Sequence, residues 1–341
     1  MNFLAILAAL VIEQARPLAQ NNFVYAAIRG WVRLSSRNLD TGQTSHAALA
    51  WAVAVIAPGL LVWAVHGLLG WSLGAPAVLL WHILVLYLCL GFRQFSHYFT
   101  GLRDALEHND EDLARQRLAQ WQQVEIGELP RSQLLRYVIE YSVLAAHRHV
   151  FGVLCCYTLL AILGLGPAGA VIYRLGEFVA RYWVYKDRSG AQPVSPALQT
   201  MAARVWYRLD WLPVRATALG FAVVGNFEEA IDQWRRYVQL ETRNEAENND
   251  GLLIAATAGA INLRLGGQRL RSAASNIETS DQANNAEQPC AQPAAQQAAP
   301  ASVSGREPQW VHLSIVVGLV WRCVVLWMLL LALLSLARAL G

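Results

Sequence analysis

Residues 47–69 read AALAWAVAVIAPGLLVWAVHGLL and contain no Asp, Glu, Lys or Arg. After a short turn that includes Gly70, Ser72 and Gly74, residues 75–92 read APAVLLWHILVLYLCLGF, with a charge only at the flanking Arg93. About 20 apolar residues in a helix cross the roughly 30 Å of hydrocarbon in a bilayer. Both stretches are therefore predicted to be transmembrane helices, and they decide the fold class, an all-α polytopic helical membrane protein.

The composition of the 341-residue chain agrees with this class. Hydrophobic residues make up 55% and charged residues 15% of the chain, and the mean hydropathy is +0.30. A soluble domain carries about 25% charged residues. The formal net charge of +3 is small and its basic residues are spread along the chain, so no nucleic-acid partner is predicted. The predicted partner is the lipid bilayer.

Arginines flank both early spans. Those before and after the spans are Arg16, Arg29, Arg33, Arg37, Arg93, Arg103, Arg115, Arg117, Arg131 and Arg136. Because cytoplasmic loops are enriched in Lys and Arg, both flanks are predicted to be cytoplasmic. The expected location is the bacterial inner membrane, with several passes.

Further helices are predicted on either side of the two spans. Residues 1–12 form a first helix that is too short for a full span. Residues 93–149 are polar with a helical period and predict a cytoplasmic helical hairpin, whose second helix is capped at Asn109. Residues 150–173 are apolar but are interrupted by GLGPAG at 164–169, where Pro167 cannot continue a helical hydrogen-bond ladder. We predict a broken span there, re-entrant or hairpin, made of two half-spans that fold back.

The second half of the chain divides by composition. Residues 206–225 are amphipathic and are expected to lie at the membrane interface or to line a protein-enclosed cavity, and Asn226 with Glu229 predicts the N-cap of a helix over 227–240. Residues 272–309 are rich in Ala, Gln, Asn, Pro and Ser and predict a disordered linker. The predicted organisation is a helical membrane domain over 1–271, this linker, and a C-terminal transmembrane helix within 310–341.

Few side chains carry a recognisable chemical pattern. Four of the five cysteines lie in apolar runs, where they pack as small hydrophobes, and no metal site is predicted. GLGPAG matches GxGxxG, but no βαβ unit surrounds it, so a dinucleotide site is not predicted. His147 and His149 are two residues apart, do not share a helix face, and are interpreted as interfacial anchors. The scattered His66 and His82 are interpreted as packing residues.

Arg322 lies near the centre of the final apolar run, residues 311–337. An arginine at that depth is costly unless it faces protein or water, so it requires an acidic partner. The available acids are Glu13, Glu177 and Asp210. Two interpretations stay open: a ligand-binding role, or an ion pair that only fixes helix packing.

The run Asp210-Trp211-Leu212-Pro213-Val214-Arg215 resembles a motif of the membrane-bound adenosylcobinamide-phosphate synthases of cobalamin biosynthesis, the CobD/CbiB superfamily. It also resembles their AmpE-type relatives, inner-membrane proteins linked to β-lactamase induction. Glu13 with Arg16-Pro17 is similar to the start of this superfamily. Four further stretches also resemble it in order, at residues 99–103, 109–111, 169–186 and 258–267.

The chain departs from the synthases in three oxygen-rich motifs, at residues 146–151, 175–178 and 206–207. The reaction that the resemblance implies joins a corrinoid carboxylate to an amino-alcohol phosphate at the expense of ATP. It needs Mg²⁺, whose ligands are carboxylate and amide oxygens. In this chain the three motifs are basic, aromatic or apolar. Asp210, where the synthases usually carry Asn, is shared with the AmpE-type relatives.

We therefore favour an AmpE-like, non-synthase regulatory or sensory member that acts in cell-envelope signalling, in β-lactamase induction or peptidoglycan recycling, with a membrane or cell-wall-recycling protein as partner. No catalytic residue and no cofactor is assigned; ATP and Mg²⁺ enter only under the synthase alternative. A second alternative is a structural partner of a membrane complex, and an oligomer is compatible with all three. The candidates for a ligand pocket are Glu13, Arg174, Glu177, Lys186, Asp210, Trp211, Arg215 and Arg322.

Overall fold

The structure, a computed structural model, describes residues 2–16, 23–91, 101, 113–114, 116–117, 131–188, 193–244, 249–266 and 305–340. The regular elements in these ranges are all helices. In chain order they are α1 (Asn2–Ala15), α2 (Phe23–Leu39), α3 (Thr44–Ser72), α4 (Ala75–Cys89), α5 (Arg131–Ala146), a π-helical turn (His147–Phe151), α6 (Gly152–Ile162), α7 (Ala168–Arg188), α8 (Pro196–Val224), α9 (Phe227–Asn244), α10 (Asn249–Ile261) and α11 (Val311–Leu340).

The chain divides into two compact units. Unit 1 comprises Met1–Gln94, Ala145–Thr217 and Val324–Gly341, and unit 2 comprises Phe95–Leu144 and Ala218–Cys323. Each is described by itself below.

Three helical segments in the described ranges are long and apolar enough to cross a membrane: Thr44–Ser72, Ser132–Ile162 and Val311–Ala337. The first and last confirm the sequence prediction. The prediction of a full span at residues 75–92 is wrong, because α4 has 15 residues and at 1.5 Å per residue covers about 22 Å. Its helical path stops at Leu90, whose backbone is extended.

The broken span also needs correction. The break lies where it was predicted, between Ile162 and Ala168. The arm before it is not a half-span, however, because the helical path runs without interruption from Arg131 through the π-helical turn. Polar residues such as Arg136 and His147 suggested that this run was not part of a span, but a helix accommodates them when neighbouring groups provide their partners.

The glycines of GLGPAG explain the break. Gly164 and Gly166 have φ angles of +79° and +60°, which L side chains rarely adopt. A Cβ on Gly166 would also lie 2.7 Å from the ring of His66. Gly169 lies directly against the carbonyl group of Cys156, so α6 and α7 pack closely. These glycines build a helix–turn–helix.

The core of unit 1 is formed by α2, α3, α7 and α8. Trp51 and Val55 of α3 pack in one buried cluster with Val179 and Trp183 of α7. His82 of α4 is buried. Its Nδ1 lies 2.7 Å from Tyr157 Oη, and its Nε2 lies 3.1 Å from His66 Nδ1.

In unit 2, α9 and α10 form a closely packed helical pair. The backbone N–H of Glu229 donates to Asn226 Oδ1 at 3.2 Å, which confirms the predicted N-cap. Gly259 of α10 lies against the backbone of Glu229 and Ala230, where no side chain would fit. The helix begins at Phe227, as predicted, and ends at Asn244.

Parts of two predictions lie outside the described residues. These are most of the cytoplasmic hairpin, including its cap at Asn109, and residues 272–304 of the linker. The described residues 305–309 correct the end of that linker, because Arg306 forms a parallel bridge with Leu263. The backbone N–H of Arg306 donates to the carbonyl oxygen of Asn262 at 3.1 Å. The carbonyl oxygen of Arg306 accepts from the N–H of Arg264 at 2.9 Å.

Candidate functional site

Four buried polar side chains of unit 1 meet around Asp210, and we call them the aspartate cluster: His147, Tyr173, Asp210 and Thr217. His147 Nε2 lies 2.9 Å from Asp210 Oδ1, and the Tyr173 hydroxyl donates to the same oxygen at 2.8 Å. His147 Nδ1 lies 2.9 Å from Thr217 Oγ1.

Local sequence brings these groups together. Asp210 and Thr217 are seven residues apart, two helical turns, and so share one face of α8. His147 begins the π-helical turn, a type of irregularity that is frequent at functional sites. Gly152, which follows that turn, leaves the space that the ring and hydroxyl of Tyr173 occupy.

The second oxygen of Asp210 is the chemically notable atom of this cluster. Asp210 is 1% exposed, and its Oδ2 has no hydrogen-bond partner within the described part of the chain. A buried polar atom left without a partner costs about 1–3 kcal/mol, and more when it is charged. Oδ2 is therefore poised to accept an N–H or O–H group.

A second set of charged groups lies around Glu177, and we call Arg148, Arg174 and Arg181 with Glu177 and His149 the guanidinium cluster. Arg174 Nη1 donates to Glu177 Oε2 at 2.8 Å, and Arg181 Nη1 donates to Oε1 at 2.9 Å. The charge of Arg148 also acts on Glu177. Glu177 lies outside the three candidate spans. Burial raises its pKa, but the arginine charges lower it more, and the net pKa is below its ordinary value.

Tyr25 connects the guanidinium cluster to α2. Its hydroxyl hydrogen-bonds Arg174, and the charge of Glu13 also acts on it. Burial raises the pKa of Tyr25, and Arg174 opposes this shift. Glu13 itself is 2% exposed. The structure thus brings three of the candidate pocket residues, Glu13, Arg174 and Glu177, into one neighbourhood.

The other candidates lie elsewhere. Arg215 stacks over the exposed ring of Trp211 at 4.0 Å, and Lys186 lies 5.7 Å from the ring centre of Tyr182. Arg322 is exposed and belongs to unit 2. Its Nε and Nη1 donate to the carbonyl groups of Gly318 and Val224. The acidic partner expected for it is not among these contacts.

Sequence reasoning missed six residues of the two clusters: His147, Arg148, His149, Tyr173, Arg181 and Thr217. The interpretation of His147 as an interfacial anchor is wrong, because this side chain is fully buried and hydrogen-bonded within the protein. Arg181 could have been found, since it lies four residues after Glu177 on the same helix face. Tyr173 and Thr217 gave no such local signal.

Comparison with known proteins places the chain in a family. The sequence model described as CobD/Cbib protein matches residues 3–301. The chain belongs to the CobD/Cbib family. A cobalamin biosynthesis protein CobD from Stutzerimonas stutzeri is 26% identical to this family member over 347 residues, 96% of each chain.

Two further relatives carry the same name. The protein from Chromobacterium violaceum is 30% identical over 185 residues, covering 54% of this chain and 55% of its own. The protein from Leptospira interrogans is 26% identical over 235 residues, covering 67% and 69%. No solved structure matches the chain.

These relatives overturn the AmpE-like regulatory hypothesis. They are named for cobalamin biosynthesis, and the first aligns over almost its whole length. The hypothesis was wrong because it treated the three divergent motifs as a loss of function. One of those motifs, residues 146–151, contributes His147, whose ring lies within hydrogen-bond distance of Asp210.

Proposed function

We propose that this CobD/Cbib family member is the amide-forming synthase of cobalamin biosynthesis, which joins a corrinoid carboxylate to an amino-alcohol phosphate. The observation that carries the proposal is the alignment with the Stutzerimonas stutzeri CobD over 96% of both chains. A match of that extent includes the regions that hold both polar clusters.

The two clusters offer groups suited to such a reaction. Amide formation makes a C–N bond, removes one carboxylate oxygen, and requires that the attacking amine lose a proton. Asp210 Oδ2 is a hydrogen-bond acceptor without a protein partner among the described residues. Guanidinium groups such as that of Arg174 bind anionic groups, and both substrates carry such groups.

ATP and Mg²⁺ belong to the proposal because the family resemblance implies them. Glu177 and Asp210 do not form a Mg²⁺ site: both oxygens of Glu177 accept from arginines, and Oδ1 of Asp210 lies within hydrogen-bond distance of His147 and Tyr173. In the ranges that the structure covers, no group of three or more His, Cys, Asp or Glu side chains is placed to hold a metal ion. We therefore assign no step to a metal ion.

We place the protein in the bacterial inner membrane as a multi-pass protein. Three described helices are long and apolar enough to cross a membrane, and arginines flank the first of them in the sequence. Reporter fusions placed after Ser72 and after Gly341 would test the orientation.

Complementation tests the activity. We expect the gene to restore cobalamin-dependent growth, without added cobalamin, to a bacterial strain that lacks its synthase. The Asp210→Ala variant should fail to do so, whereas Asp232→Asn, which changes a half-exposed acid of unit 2, should succeed. Growth of every strain on added cobalamin is the control.

A reconstituted reaction tests the chemistry directly. The purified protein in liposomes, given the corrinoid carboxylate, the amino-alcohol phosphate, ATP and Mg²⁺, should yield a product whose mass is the sum of the two substrates less one water. Absence of both this product and growth, with the protein present in the membrane, would reject the proposal.

A further inference from the structure

Helix α2 carries three arginines on one face, Arg29, Arg33 and Arg37, which we call the arginine row. They are four residues apart, so they follow one line along the helix, and all three are exposed. The helix itself contains no Asp or Glu. The three guanidinium groups have no acid partner among the residues that the structure describes.

A second exposed strip of α2 is apolar. It consists of Phe23, Ala27, Trp31 and Leu34, which follow one another at intervals of four and three residues. Phe23 is 85% exposed and Leu34 is 51% exposed. At about 100° per residue, this apolar strip lies about a third of a turn around the helix axis from the arginine row. Helix α2 therefore presents an apolar and a basic surface side by side.

The remaining side of α2 packs near the start of α3. Val32 is fully buried in one cluster with Ala47, Ala50 and Trp51. Helix α3 has 29 residues and is about 43 Å long at 1.5 Å per residue, whereas the hydrocarbon of a bilayer is about 30 Å thick. This excess leaves room for the start of α3 to lie outside the hydrocarbon, with α2 beside it at the level of the lipid headgroups.

Two acids lie near α2, but they do not neutralise the arginine row. Asp40 follows the helix and accepts hydrogen bonds from the N–H and hydroxyl of Ser195 and from the N–H of Gly42. Glu13 is buried, and its charge acts on Tyr25. Within the described part of the chain, neither acid forms an ion pair with the arginine row. The row is therefore a surface of uncompensated positive charge.

We infer that α2 is an interfacial helix that binds an anionic lipid surface, with the apolar strip at the acyl-chain boundary and the arginine row on headgroup phosphates. Helices with one apolar and one basic face lie in the plane of the bilayer and bury the apolar face about 5–10 Å deep. Trp31 suits that depth, because Trp rings are enriched at membrane interfaces. A dissolved phosphate would pair with the arginine row but would leave the apolar strip in water, so the two surfaces together favour a membrane.

Lipid retention tests the assignment. The full-length protein is equilibrated in micelles with equal amounts of phosphatidylglycerol and phosphatidylcholine, and native mass spectrometry measures the ratio of the two lipids that stay bound. The wild type should retain more phosphatidylglycerol. Arg29→Gln combined with Arg33→Gln should lower the ratio about fivefold or more, because each basic residue near an anionic surface contributes roughly that factor.

Two matched variants separate the arginine row from net charge. Arg29→Lys with Arg33→Lys keeps both charges and should retain more phosphatidylglycerol than the glutamine variant. Arg235→Gln with Arg236→Gln removes two exposed arginines from α9, which also carries Asp232, and should leave the ratio within about twofold of the wild type. Circular dichroism and size-exclusion chromatography confirm folding. A wild-type ratio in the folded glutamine variant of α2, or an equal loss in the α9 variant, would overturn the proposal.

Spin labels test how α2 lies in the membrane. Ala26 and Ala27 are adjacent and exposed, but Ala26 lies beside the arginine row and Ala27 within the apolar strip. The four described cysteines are buried, and Cys290→Ser removes the fifth from the background. In vesicles of both lipids, a nitroxide on Ala27→Cys should collide more with oxygen, and one on Ala26→Cys more with a water-soluble nickel chelate. Equal nickel collision rates at the two positions would overturn the interfacial orientation.

Other occupants of this surface give different results. Release of phosphatidylglycerol from the wild type by inorganic phosphate, beyond the effect of chloride at equal ionic strength, would assign the row to a dissolved anion. A smaller oligomer in the glutamine variant, with unchanged lipid retention, would assign the surface to a second copy of the chain. Either result would overturn the assignment to a lipid surface.

Discussion

Replacing Gly152 by alanine should displace Tyr173 from the aspartate cluster. A Cβ at position 152 would overlap the hydroxyl and Cζ of Tyr173 and lie 2.5 Å from Cε1. The tyrosine ring is fully buried and its hydroxyl donates to Asp210 Oδ1 at 2.8 Å. The ring cannot move away without breaking that hydrogen bond.

The expected cost follows from three terms. Overpacking a well-packed core costs about 1–3 kcal/mol. Loss of the Tyr173–Asp210 hydrogen bond leaves buried polar atoms without partners, at about 1–3 kcal/mol. Alanine instead of glycine inside a helix returns about 1 kcal/mol. The free energy of unfolding should therefore fall by about 1–5 kcal/mol, the sum of these terms.

Denaturant unfolding of the purified protein in detergent micelles measures this change. Gly67→Ala is the matched control, because Gly67 lies within α3 and a Cβ there meets nothing within 4 Å. That variant should be as stable as the wild type or slightly more so. Combining Gly152→Ala with Tyr173→Ala should cost less than the sum of the single changes, since the residues are in contact. If Gly152→Ala matched Gly67→Ala, the reasoning about close packing at Tyr173 would be refuted.

Three further changes probe other contacts. Asp210→Ala leaves two buried donors without an acceptor and should lower the free energy of unfolding in micelles by at least about 2 kcal/mol, whereas Asp210→Asn, which keeps an oxygen, should cost less. Gly259→Ala should destabilise the α9–α10 pair by about 1–3 kcal/mol, because the added Cβ would meet backbone atoms that cannot move aside. Gly318→Ala is the control and should not lower the stability, because a Cβ there meets nothing within 4 Å. Because the pKa of Glu177 is lowered in the folded state, its ionised form stabilises the fold above about pH 4 and this contribution is lost as the pH falls further. The stability difference between the wild type and Glu177→Gln should therefore shrink on acidification, and a difference that grows would contradict the ion pairs.

The features that sequence predicted correctly depend on neighbouring residues. Asn226 caps a helix through a bond to the N–H three residues later. Gly164 and Gly166 break the chain direction through their own φ angles. Each of these signals is complete within a few residues.

The features that sequence missed depend on distant partners. His147 and Asp210 are 63 residues apart, so nothing in the spacing of either shows that they bond. His147, in the turn that follows α5, suggested a solvent-facing hairpin because its partners lie on α7 and α8. Arg174 and Glu177 were identified as candidates from the sequence. Their position near Arg148 depends on how α7 packs against the π-helical turn, and the sequence does not show this packing.

The π-helical turn at His147–Phe151 determines the direction in which its side chains point around the helix axis. An α-helix turns by about 100° per residue, and a π-helical turn accommodates one extra residue before the regular path resumes at Gly152. Deleting a single residue here would let the helix relax to regular winding and would swing His147 and His149 by roughly that angle. The one extra residue of this turn therefore decides whether His147 stays in the aspartate cluster and His149 in the guanidinium cluster. In a sequence alignment, a one-residue gap at this point changes which residue of a relative is aligned with His147, the residue that bonds Asp210.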